Sequence, residues 1–201
     1  MKGFLKAVSL VFHPLFAPIA GTLAYFIITP KYSPLELQSG NILPIFILTV
    51  IIPIISYLIL RNLGLVTSIY MPKIEERKYP LYINIILLFL ILYKVIPNNY
   101  TIELYYFFVG LIGASTAALL LLFLNLKSSM HLMGMGSLLM FMISLSIHFE
   151  INITIALSIL TLFTGLVASS RLYLKAHSKA ELFVGFCLGI LTQLLTVKFW
   201  L

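Results

Sequence analysis

The chain has 201 residues, of which 61% are hydrophobic and only 9% charged, with a mean hydropathy of +1.10. Soluble domains carry about 25% charged residues, so a soluble fold is excluded and the expected class is all-α: one polytopic transmembrane helix bundle over 1–201, with six to seven spans of roughly 20 residues each. The net charge of +7, with Glu as the only acidic residue type, points to cytoplasmic loops or anionic headgroups and not to nucleic acid, for which there is no soluble basic module.

In chain order, Lys2 and Lys6 precede an apolar run with no small-x-small cleavage site, so a retained span over about 8–29 is expected in place of a signal peptide. His13-Pro14 and Pro18 interrupt it, predicting a late start or a kink. His13 reads as a structural donor near the interface, the alternative being a member of a site inside the bundle. A polar link over about 30–40 leads to a second span, about 42–60, with local kinks expected at Pro44 and Pro53. The longest polar stretch, 61–80, contains Lys73, Glu75, Glu76, Arg77 and Lys78, five charges within six residues. It reads either as a solvated loop or as an anion-binding segment.

A third span over about 81–97 ends in a turn at Pro97-Asn98-Asn99, with Lys94 placed to snorkel. The fourth, about 102–126, has Gly110, Gly113 and Ala114 as close-contact residues. Lys127-Ser128-Ser129-Met130-His131 opens the fifth, about 131–147, where Gly134 and Gly136 let a helix or a ligand approach a helix start. His148 fits an interfacial position. The sixth span, about 152–170, runs into a dense polar island, 170–181, and the seventh covers about 181–198. Gly185 and Gly189 in that last span make a small-xxx-small packing pattern, and the lone Cys187 reads as a small core residue with no disulfide partner.

The polar island carries the chemistry. If it is helical, Ser170 and His177 lie on one face two turns apart, and His177 and Glu181 lie four apart. The Glu181 carboxylate then fixes one imidazole nitrogen and leaves the other free to react, while Arg171 offers a planar fork for phosphate oxygens. With seven spans, the connections after the second, fourth and sixth share one membrane face. Three loaded segments, around 73–78, 127–131 and 171–181, therefore converge there, as an anion site at the membrane surface requires.

In that order the segments resemble the three motifs of the type 2 phosphatidic acid phosphatase superfamily, membrane lipid phosphatases related in fold to vanadium haloperoxidases. The third motif, Ser-Arg, five residues, His, three residues, Asp, is matched by Ser170-Arg171, His177 and Glu181, with Glu for Asp. The second, Pro-Ser-Gly-His, has Ser128-Ser129-Met130-His131 in its place, without the Pro and Gly. The first, Lys, six residues, Arg-Pro, is echoed by Lys73, Arg77, Lys78 and Pro80 at a different spacing.

The resemblance covers about 73–181, within a motif-bearing core of about 61–198, and implies a haloperoxidase-like helical core. It further implies a metal-independent phosphatase, with no cofactor, that hydrolyses a lipid or polyprenyl phosphate through a phosphohistidine. His177 would be the nucleophile, Glu181 its orienting group and His131 the general acid and base. Arg171, Lys73, Arg77 and Lys78 would neutralise the phosphoryl oxygens, with Ser129 and Ser170 beside them. The expected partners are the substrate and membrane lipids; a homo-oligomer is allowed. The expected location is a bacterial cytoplasmic membrane. Lysine and arginine counts favour a site on the cytoplasmic side, whereas the resemblance favours the outer side. Two rivals stay open: a degenerate phosphatase-like protein or transporter that binds anionic lipid, and a metal-dependent enzyme using His177, Glu181 and His131.

Overall fold

The computed structural model describes residues 2–69, 71, 73–96 and 100–201, and among them helices and short connections account for the whole fold, with no strand. The helices are α1 (Lys2–Val11), α2 (Ala17–Ile28), α3 (Leu35–Phe46), α4 (Ile52–Asn62), α5 (Ile74–Lys94), α6 (Ile102–Phe123), α7 (Met130–His148), α8 (Thr154–Tyr173) and α9 (Lys179–Val197). Six segments are long and apolar enough to cross a membrane, counting α1–α2 and α3–α4 as one broken segment each, and they fit an integral membrane protein. α5 is the seventh long segment, with 21 residues. It runs antiparallel to α6: the Lys78 ammonium lies 4.7 Å from the centre of the Phe123 ring, and Asn84 Nδ2 donates to Ser115 Oγ at 3.1 Å.

Both early spans break where proline removes ladder donors. The first breaks at His13-Pro14, where a 3₁₀ turn, Pro14–Phe16, joins α1 to α2. In the second, a π turn, Ile47–Ile51, separates α3, which contains Pro44, from α4, which has Pro53 in its first turn. Three boundaries differ from expectation. α1 begins at Lys2 and α3 at Leu35, each inside a stretch that reads as polar. The charge run 73–78 is not an open loop but the N-cap and first turns of α5. Glu75 and Glu76 suit that helix start, where the backbone presents partial positive charge, and buried Glu76 accepts from the Thr67 N–H and hydroxyl at 3.3 and 3.0 Å. Pro72 and the turn expected at Pro97-Asn98-Asn99 lie outside the described residues.

α7 is the most enclosed of the spanning helices, apolar around nearly its whole circumference. It crosses α9 at the spacing of two bare backbones. A β-carbon on Gly189 would sit 2.2 Å from the Met133 carbonyl oxygen, and one on Gly136 2.6 Å from that of Phe186. At one end of the bundle, buried Glu103 binds Lys31 Nζ at 2.6 Å, accepts from the Tyr25 hydroxyl at 3.1 Å and has His148 Nε2 at 3.6 Å. The other end holds the three segments singled out above.

Candidate functional site

The island 170–181 is not one helix. α8 stops after Tyr173, and Lys175 adopts the left-handed region with φ 53°. The Lys175 N–H then reaches Leu172 O and the Ala176 N–H reaches Arg171 O, both at 3.0 Å, a Schellman closure. Ser178 starts α9 as N-cap, and a capping box joins its hydroxyl to the Glu181 N–H and the Glu181 carboxylate to its own N–H. The expected two-turn face shared by Ser170 and His177 is therefore lost. The His177–Glu181 pair is made all the same, because a residue just before the cap and the third residue of the helix meet across a capping box.

Glu181 Oε2 accepts from His177 Nδ1–H at 2.8 Å and from the Ser178 N–H at 3.2 Å. The box fixes the carboxylate, the carboxylate fixes the imidazole, and Nε2 is left with its lone pair. The His177 side chain is only 5% exposed. Burial, first of all, holds its pKa below the ordinary 6.5; the hydrogen bond to Glu181 opposes this, and the nearby Arg171 and Arg77 guanidinium groups add to the lowering. His177 is thus a neutral imidazole near pH 7, in the protonation state of a nucleophile.

The second segment is stitched to the third. Buried Ser129 caps α7, its hydroxyl accepting from the Leu132 N–H at 3.5 Å, and its own N–H donates to the Glu181 carbonyl at 3.0 Å. Gly185 makes room for this, since a β-carbon there would lie 2.4 Å from the Ser129 carbonyl oxygen. Buried His131 donates from Nε2 to the Ser9 carbonyl at 3.0 Å, and its ring meets that of His13 edge-on at 5.3 Å. Arg171 and His177 lie within electrostatic reach of it.

From the first segment, Arg77 turns toward this group: its Nε donates to the Met71 carbonyl at 2.9 Å, and it lies within reach of Glu181 and His177. Lys78 turns the other way, toward Glu75 at 3.9 Å and the Phe123 ring, and Lys73 is the exposed N-cap of α5. The side chains that come together are thus His177, Glu181, His131, Arg171 and Arg77. Ser170, expected beside a phosphate, is fully buried elsewhere. Its hydroxyl donates to the Leu5 carbonyl at 2.7 Å, so the Ser9 hydroxyl, 2.8 Å away, donates to it. It joins α8 to α1 and presents no hydrogen to the His177 side.

Ser9 was not foreseen, and His13 was foreseen only as an interfacial donor or an unspecified member of a site. The available signal was the His13-Pro14 break in an apolar span, with Ser9 four residues earlier on the same helical face. Among the described residues, no three His, Cys or Glu side chains are grouped as metal ligands. No protein-family model, curated protein or solved structure matches the chain.

Proposed function

We propose that the chain is a membrane-embedded phosphatase that hydrolyses a lipid or polyprenyl phosphate through a phosphohistidine at His177. The observation that carries this reading is the 2.8 Å His177–Glu181 hydrogen bond, which leaves Nε2 unprotonated beside two guanidinium groups. In the proposed reaction Nε2 attacks phosphorus and the bond from phosphorus to the lipid oxygen breaks. Neutral His131, its Nε2–H held by the Ser9 carbonyl, first takes a proton on Nδ1 from the bound, singly protonated phosphate group and passes it to the leaving alkoxide. Water then attacks the phosphohistidine, His131 takes its proton, and the P–N bond breaks to release phosphate. Arg171 and Arg77 offset the phosphoryl charge, which in phosphoryl transfer is most of what the protein must supply.

One observation favours a second reading, binding of anionic lipid without turnover. The Ser129 N–H and the Ser170 hydroxyl already donate to protein carbonyls, so two of the small neutral donors expected around the phosphate are committed, while the Ser129 hydroxyl, which accepts from the Leu132 N–H, keeps its hydrogen. Phosphate release from a panel of lipid phosphates by the detergent-purified chain, with EDTA present, separates the two. Release that disappears in His177→Ala is the expected result, while release that survives that substitution, or none from any lipid, overturns the phosphatase reading.

A further inference from the structure

The break in the first span leaves a backbone carbonyl at the site without its helical donor. In a continuous helix Ser9 O would accept from the His13 N–H. Here the His13 N–H turns to Leu10 O at 3.3 Å, and Pro14 has no N–H to offer. The Ser9 carbonyl instead accepts from His131 Nε2 at 3.0 Å. The same break aims the His13 side chain. Its Nδ1 accepts from the Leu15 N–H at 3.3 Å as cap of the 3₁₀ turn, which puts the ring proton of a neutral His13 on Nε2. The ring, so anchored, stands edge-on to that of His131, with planes 74° apart. One chain break thus supplies both the acceptor that selects the His131 tautomer and an aromatic wall that limits its rotation. The charged and titratable groups facing the pair are Arg171 from α8 and His177 from the turn before α9.

We propose that His13 is a positioning residue for His131, holding its Nε2–H on the Ser9 carbonyl so that Nδ1 is the nitrogen that exchanges protons at the site. The proposal rests on the phosphatase reading only for its kinetic consequence. The chain has four histidines, so ring nitrogen spectra of the full-length ¹⁵N-histidine-labelled protein in micelles can be assigned by single substitution. His13→Ala removes ring and cap together. His13→Asn keeps a capping acceptor and removes only the ring. His148, at the Glu103 end, serves as the internal check that a variant is folded.

The expected result is a single His131 tautomer with its proton on Nε2 in the parent chain. In both variants it becomes a mixture with a displaced titration midpoint, while His148 does not change. In phosphate release, kcat falls by about 10- to 100-fold, as misplacement of a catalytic group entails, with KM little changed and the His131 limb of the pH profile moved. An unchanged His131 tautomer and titration in a folded His13→Asn chain overturns the proposal. If the parent releases no phosphate, the phosphatase reading falls, and the spectra alone still decide the role of His13.

Discussion

Glu181 does two jobs with one carboxylate, and its substitution separates them. Glutamine also fits the third position of a capping box, so Glu181→Gln keeps the start of α9 and removes the charge that faces His177. In the proposed reaction the rate is full where His177 is neutral and is lost as pH falls through its pKa. Burial already places that pKa below 6.5, and the carboxylate works against burial. Glu181→Gln therefore moves the acid limb of phosphate release to still lower pH, while the plateau rate drops by about 100-fold with the loss of the oriented, charge-stabilised imidazole. An acid limb that stays put or moves to higher pH in Glu181→Gln counts against this account. At this scale the sequence was legible where contact is local: the i, i+4 spacing of His177 and Glu181 sufficed even though the connecting geometry is a cap and not a helix. Ser170 sits in the motif's letters, but nothing near it in sequence says that Leu5 and Ser9 are its hydrogen-bond partners.

The α7–α9 crossing is the element on which the site is mounted. It places the Ser129 N–H on the Glu181 carbonyl and His131 beside the His177 turn. Its contact surface is backbone against backbone at Gly136, Gly185 and Gly189, so a side chain there meets groups that no rotamer change can move. Gly189→Val is expected to lower stability by about 1–3 kcal/mol, the usual cost of overpacking, and to reduce phosphate release by spreading the two helices. Gly165 in α8 is the control, since a β-carbon there meets nothing within 4 Å, and Gly165→Ala should gain up to about 1 kcal/mol from helix propensity. Thermal unfolding in detergent reads both; equal behaviour of the two variants would contradict the packing argument. The Gly185–Gly189 spacing made this crossing legible in advance. The early starts of α1 and α3 were not, because lysines or a glutamate near a helix N-terminus look like a loop until it is known what they face.

At the scale of the whole molecule the two ends of the bundle differ in charge. Lys2, Lys6, Arg61, Lys73, Arg77, Lys78, Lys127, Arg171, Lys175 and Lys179 belong to helix ends and turns on the His177 side, ten of the thirteen cations; Lys31, Lys94 and Lys198 belong to the other. Lys31 is further offset by Glu103 at 2.6 Å. A phosphate site would explain Arg77 and Arg171 but not Lys2 and Lys6 in α1 or Arg61 in the last turn of α4. Positive residues in short connections are retained on the cytoplasmic side, so the His177 end is expected to face the cytoplasm and to act on lipid in the inner leaflet. The antiparallel pairing of α5 with α6 predicts that α5 crosses as a seventh span despite its charged first turns, and an odd number of crossings would put Lys2 and Trp200 at opposite ends. Trp200 indeed packs near His148, 5.3 Å away, at the Glu103 end. A fluorescent-protein fusion should therefore report from the N-terminus and stay dark at the C-terminus, with alkaline phosphatase fusions giving the reverse. Both fusions reversed would keep the seven-helix architecture and place the site on the outer leaflet. Both termini on one side would mean that α5 does not cross, and the convergence of the three segments would then need another explanation.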